Sequence, residues 1–124
     1  MIKTLNEETE VCTWEMFEYA LLELEQNINR SEHKLDGVYG IPRGGLPIAV
    51  CLSHRLGLPL ILDKDKITKE TLIVDDISDK GDTLIPFKDY VTATLYVTSF
   101  TKLIPNFSVY TRRKNWVEFP WEAK

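Results

Sequence analysis

Cysteine is scarce in this chain: Cys12 and Cys51 are the only two among 124 residues, too few and too isolated for a disulfide framework or a metal knot. No stretch reaches the roughly 20 apolar residues that a membrane span needs, and Met1 to Glu10 is polar and acidic, unlike a secretory leader. Positive charge is in deficit. The 15 Lys and Arg against 19 Asp and Glu leave a net charge of −4, whereas a nucleic-acid or anionic-membrane binder normally carries the opposite sign. His33 and His54 belong to no motif and read as helix-surface residues, and repeats, low-complexity runs and linkers are absent. What is present is a globular balance, 44% apolar and 27% charged, in a chain long enough for one real core. The expectation is a single soluble, cytoplasmic domain over residues 1–124 with no nucleic-acid or membrane partner.

Helical and extended patterns alternate along the chain. Trp14, Phe17, Leu21, Leu24 and Ile28 recur at spacings of three and four, one face of a helix, with Thr13 placed to cap it. Gly37 to Ile41 is a short apolar run bounded by glycines and predicts a buried strand. Pro47 to Leu56 predicts a helix closed by Gly57, and Leu58 to Leu62 a second strand. The charged stretch Asp63 to Glu70 is a loop. Leu72-Ile73-Val74 is a third strand running into Asp75-Asp76, followed by a short helix over Leu84 to Tyr90 and strands over Ala93 to Thr101 and Phe107 to Tyr110. Continuous apolar strands alternating with helices predict an open, mainly parallel five-stranded α/β sheet with helices on both faces.

Ligands of such sheets bind beyond the carboxyl ends of the strands. Two loops at that edge suit phosphate. In Ile41-Pro42-Arg43-Gly44-Gly45 the glycines permit close backbone approach, a helix N-terminus follows, and Arg43 supplies positive charge. An ordinary strand-to-helix turn explains that loop equally well by itself. The second loop, Asp75-Asp76-Ile77-Ser78-Asp79-Lys80-Gly81-Asp82-Thr83, is more telling. Adjacent carboxylates repel, a cost usually offset by a cation or by substrate hydroxyls, and the segment after them can wrap a phosphate with successive backbone N–H groups. A solvated acidic turn does not explain why these features coincide at one strand end.

Val74 to Thr83 resembles the phosphoribosyl-pyrophosphate signature of the type I phosphoribosyltransferases. Thr13-Trp14-Glu15-Met16, Arg43-Gly44-Gly45-Leu46, Thr101-Lys102 and Trp116-Val117-Glu118-Phe119-Pro120-Trp121-Glu122 are similar, in order, to segments of the xanthine–guanine branch. The resemblance implies transfer of phosphoribose to a 6-oxopurine (guanine, xanthine or hypoxanthine) with Mg²⁺ as cofactor, and a homodimer. It implies that Asp75 and Asp76 lie near the ribose hydroxyls and the metal, Asp76 being the likelier ligand, and that Asp79 is the catalytic base at purine N7. Lys80, Gly81, Asp82 and Thr83 would hold the 5′-phosphate and Arg43 with Gly44 the pyrophosphate, in a loop that often contains a non-proline cis peptide in relatives. Lys102 would select the 6-oxo group, Trp116 stack on the base, and the Val117 carbonyl accept from it. Glu122 is a lesser candidate for a second metal through water; Trp121 reads as packing, and Arg112-Arg113-Lys114 as a solvated loop.

The chain also departs from that family. Only Asp63 to Thr71 separates the second and third strands, too little for the usual lid, so a non-catalytic ligand-binding module is the rival reading. Lys80 and Asp82 are unusual in the phosphate loop, where Asp82 opposes a phosphate unless Lys80 turns inward. Little chain follows the Trp121 motif, where relatives continue.

Overall fold

A computed structural model describes residues 9–112 and 116–122. Arg113 and Lys114 of the basic run and the acidic start of the chain before Thr9 lie outside the described residues. In chain order the elements are β1 (Thr9–Val11), α1 (Trp14–Arg30), β2 (Gly37–Gly40), α2 (Gly45–Leu56), β3 (Leu60–Ile61), a 3-10 turn (Lys64–Lys66), β4 (Thr71–Ser78), a second 3-10 turn (Ile85–Phe87), β5 (Val91–Val97), β6 (Tyr110–Thr111) and β7 (Trp116–Glu118). The main sheet is five-stranded in the order β3-β2-β4-β5-β6, and every pairing is parallel, as expected. Among the described residues no helix is long and apolar enough to cross a membrane.

Local chemistry explains the helices. The Thr13 hydroxyl accepts from the Met16 amide at 3.1 Å and caps α1, whose buried face is Phe17, Ala20, Leu21, Leu24 and Ile28. Trp14, placed on that face by its spacing, is 56% exposed because it is the first helical residue and lies at the rim. Pro47 sits in the first turn of α2, where its missing N–H is harmless, and left-handed Gly57 ends the helix. Both helices pack on one face of the sheet, over Val38, Leu72, Val74, Ala93 and Leu95, and Arg55 of α2 reaches Glu25 of α1 at 3.0 Å.

The opposite face differs from expectation. Tyr39 and Ile73 are covered there by Leu84 and Phe87, which belong to a single 3-10 turn and its cap instead of the predicted Leu84–Tyr90 helix. Pro86 falls in the first turn, where proline is tolerated, but only three residues separate Phe87 from β5, too few for a longer helix. A second difference is the small parallel sheet of β1 with β7, which joins the two ends of the described chain in the register Thr9↔Trp116. Three-residue strands carry too little periodicity to be read from sequence. His33 lies just past α1, exposed, with its ring edge-on to Phe107 at 6.0 Å.

Candidate functional site

The site grows from the carboxyl end of β4. This strand is central, flanked by β2 and β5, and it continues through both aspartates to Ser78. Asp75 is only 7% exposed. Its Oδ1 accepts from the Asp76 amide, and the Asp76 Oδ1 accepts from the Ile77 amide, both at 2.8 Å. The loop between β2 and α2 lies directly against this pair: a β-carbon on Gly44 would fall 2.1 Å from Asp76 Oδ2, so a side chain there would displace the carboxylate. The peptide bond between Pro42 and Arg43 in the same loop is cis.

Beyond Ser78 the chain folds into a tight loop on the segment following β5. The Ser78 hydroxyl donates to the Leu103 carbonyl at 2.8 Å, the Thr98 hydroxyl donates to the Asp79 carbonyl, and the Lys102 amide donates to the Lys80 carbonyl at 2.9 Å. Gly81 has φ +93°, and a β-carbon there would strike the Leu103 amide nitrogen at 2.8 Å, so only glycine fits. Among the described residues, the amides of Lys80, Gly81, Asp82 and Thr83 have no protein acceptor. They line a cavity of about 260 Å³ that begins at Asp75, an open cradle for an anion.

Two further cavities meet this one at Asp76. One, about 690 Å³, is lined by Arg43, Gly44, Asp76, Trp121 and Glu122. The other, about 200 Å³, lies between Asp76, Asp79, Arg112, Trp116, Val117 and Phe119, with Ile77 and Glu122 completing its wall. A small cradle, a cationic loop and an aromatic pocket thus share one half-buried carboxylate.

Solved structures with this arrangement of elements are well represented. The purine phosphoribosyltransferase of Pyrococcus horikoshii superposes with a TM-score of 0.80 at 30% identity, over 94% of this chain and 96% of that one. The chain belongs to the type I phosphoribosyltransferases. The xanthine–guanine–hypoxanthine phosphoribosyltransferase of Helicobacter pylori (TM-score 0.76, 20% identity, 93% and 94% covered) shares the fold. So does a hypothetical protein of Neisseria gonorrhoeae solved with bound ppGpp (0.72, 18%, 94% and 90%). No protein-family profile matches the sequence.

In this phosphoribosyltransferase most residues singled out from sequence do converge. Asp75, Asp76, Asp79, Lys80, Gly81, Asp82 and Thr83 line the cradle, Arg43 and Gly44 the large cavity, and Trp116 and Val117 the aromatic pocket. Trp116 is 64% exposed at its mouth and Val117 is buried behind it. Lys102 lies elsewhere: its ammonium sits 2.9 Å from the Asp82 carboxylate, both side chains exposed, and it lines neither the cradle nor the aromatic pocket. It holds the Asp82 carboxyl below the usual range, so Lys102, with a smaller share from Lys80, offsets the unusual acid of this loop.

Sequence reasoning missed Arg112 and undervalued Trp121 and Glu122. Arg112 pairs with Asp79: its Nη1 donates to Oδ2 at 3.2 Å and its Nη2 lies 2.9 Å from the buried Oδ1, with the arginine side chain 11% exposed. Trp121 does pack as expected, stacked on Phe119 at 5.0 Å and edge-on to Phe17, yet its other side lines the large cavity. Glu122 accepts from the Phe119 amide at 2.8 Å, which turns it toward Asp76. The only advance signal was the Trp116–Glu122 motif; nothing in the local pattern marked Arg112.

Burial pushes the Asp75 carboxyl up to about 8, and the neighbouring Asp76 charge adds to the effect. Burial also raises Asp76, Glu122 adding a smaller upward push. In the unfolded chain Asp75 ionises near 3.8. Its proton therefore stabilises the fold fully below that value, and the contribution is lost as pH rises toward 8. Asn at this position keeps the hydrogen bond from the Asp76 amide and has no proton to lose. Metal-free Asp75→Asn is expected to melt with wild type near pH 4 and about 4 °C or more above it at pH 8. Thermal unfolding in a chelator across that range checks this; a difference that does not grow with pH would overturn it.

Proposed function

We propose that this phosphoribosyltransferase transfers the 5-phosphoribosyl group of phosphoribosyl pyrophosphate to a 6-oxopurine, as a Mg²⁺-dependent purine salvage enzyme. The observation that carries the reading is the meeting of the anion cradle, the Arg43 loop and the aromatic pocket at Asp76. Phosphate, pyrophosphate and base then reach one point from three sides, as a ribosyl centre between them requires.

The residues suit magnesium. Asp75 is buried and Asp76 half-buried beside it, both with raised pKa, and among the described residues no ion pair neutralises either. Among the same residues no cluster of three acidic, His or Cys side chains forms a complete protein cage. Magnesium takes one or two carboxylates, keeps waters and accepts substrate oxygens, so Asp76 with Asp75 would hold it. Bound there, it would neutralise charge developing on the leaving pyrophosphate.

The chain's own residues account for the rest. Amides 80–83 and the Thr83 hydroxyl hold the 5′-phosphate, while Arg43 and the Gly44 backbone receive the pyrophosphate. Trp116 presents its ring to the purine and the Val117 carbonyl accepts a ring N–H. The base N9 attacks C1 of the ribose, the C1–oxygen bond to pyrophosphate breaks, and Asp79 takes the N7 proton. Pyrophosphate release measured with Mg²⁺ and guanine, xanthine, hypoxanthine, adenine, uracil or no base tests this. Release confined to 6-oxopurines is expected; release without base, or with none of them, would overturn it.

One observation favours a second reading. Between β3 and β4 the chain makes only a 3-10 turn at Lys64–Lys66 before Thr71, so among the described residues this connection forms no lid over the cavities. A site unable to exclude water suits ligand binding without turnover. The Neisseria protein shows that the same fold accommodates a phosphorylated guanine nucleotide. Ligand binding in calorimetry with no pyrophosphate release for any base would select that reading.

A further inference from the structure

We propose that Lys102 is a positioning residue for the phosphate cradle: held against Asp82, it cancels the acid in the glycine loop and so lets that loop receive a phosphate monoester. The inference rests on the phosphoribosyl reading of the site and names what makes its unusual phosphate loop workable. Asp82 is the only acid in the run from Lys80 to Thr83, and it lines the same cavity as the amides of that run. A phosphate dianion held by those amides comes within a few residues' reach of the Asp82 carboxylate. Like charges that close repel even through water, and more beside protein.

The segment that carries Lys102 is built into the loop. The Lys102 amide donates to the Lys80 carbonyl at 2.9 Å. The Ser78 hydroxyl lies 2.8 Å from the Thr101 hydroxyl and donates to the Leu103 carbonyl at 2.8 Å. Gly81 is so close that a β-carbon on it would fall 2.8 Å from the Thr101 hydroxyl and 2.9 Å from the Lys102 amide nitrogen. With both backbones fixed in this way, only the side chains remain to be ordered when Lys102 Nζ donates to Asp82 Oδ1 at 2.9 Å. Among the described residues Lys80 enters no ion pair, although it belongs to the loop itself. The neutralising contact therefore comes from Lys102, and the lowered Asp82 carboxyl reflects the same order, Lys102 first and Lys80 last.

Because Lys102 does not line the cradle, it acts through Asp82 and not on the ligand. An exposed ion pair of this kind adds little to the stability of a fold, so its worth lies in the charge it removes from the loop. With the pair intact, the amides and the Thr83 hydroxyl attract a phosphate with no net charge opposing them from Asp82. Without Lys102, the same phosphate meets a bare carboxylate. That penalty is carried by exposed charges, so added salt screens it.

The test is calorimetric titration with ribose 5-phosphate, which carries the monoester but neither pyrophosphate nor base, in a chelator. Lys102→Met is expected to bind it about 10-fold more weakly than wild type, and Lys102→Arg within about 3-fold of wild type. Asp82→Asn is expected to bind at least as tightly as wild type, and Asp82→Asn with Lys102→Met within about 3-fold of Asp82→Asn alone. The deficit of Lys102→Met should shrink to about 3-fold or less at roughly 0.5 M salt, which loss of a merely structural contact would not do. Unchanged affinity in Lys102→Met, or a deficit that persists in the double variant, would overturn the proposal. Asp82→Asn carries the test if Lys102→Met does not fold, and weaker binding by Asp82→Asn would overturn it too. Wild type that binds no ribose 5-phosphate would overturn it together with the cradle. Binding that follows the expected pattern without any pyrophosphate release in the assay with bases would support the pair while the transferase reading fails separately.

Discussion

Replacing Asp79 by Asn is expected to lower kcat by about 100- to 10,000-fold while the affinity for phosphoribosyl pyrophosphate stays within a few-fold. The carboxylate lies where the phosphate cradle and the aromatic pocket adjoin, and an amide of the same shape cannot take a proton from the base. The variant also loses its charge opposite Arg112. Because Asp79 is partly exposed, solvent screens that loss, and the stability cost is about 1 kcal/mol or less. Single-turnover kinetics beside calorimetric titration of the phosphoribosyl ligand separate the two effects. Undiminished turnover in a folded variant would remove Asp79 from the chemistry, and a matched loss of ligand affinity would make it a binding residue.

Asp76→Asn is expected to weaken Mg²⁺-dependent binding of phosphoribosyl pyrophosphate by about 100-fold or more, and turnover with it. Asn can still accept the Ile77 amide hydrogen bond, so the strand end is preserved while the negative charge is removed. That charge sits at the junction of three cavities, and burial already disfavours it. A protein that keeps a carboxylate in such a place gains stability by losing it, so the variant should also melt higher than wild type without metal. Titrations with and without Mg²⁺ give the comparison. Equal affinities in wild type and variant, or a wild-type affinity indifferent to Mg²⁺, would exclude Asp76 as the metal's carboxylate.

Both predictions concern residues visible in the sequence, for a physical reason. The signature Val74 to Thr83 is contiguous, so strand, paired acids and glycine loop follow one another along the chain and line one cavity. The helix faces and the parallel order were legible likewise, since apolar spacing and short connections are local properties. Failures occurred where a segment was too short to show a period. The β1–β7 pair has three residues a side, and the stretch around Pro86 has room for one turn only.

The amino-acid sequence by itself determined the α/β class, the strands that end in glycine loops and the acids that stand among them. Only the tertiary structure decided which cation meets which carboxylate. Arg112 reaches Asp79 across 33 positions and Lys102 reaches Asp82 across 20. Such partners are chosen by the register of β4, β5 and β6, set by hydrogen bonds along the whole ladder. A basic run that looks solvated in the chain thereby places Arg112 in the wall of the aromatic pocket, and the lysine that follows β5 pairs with the acid of the glycine loop.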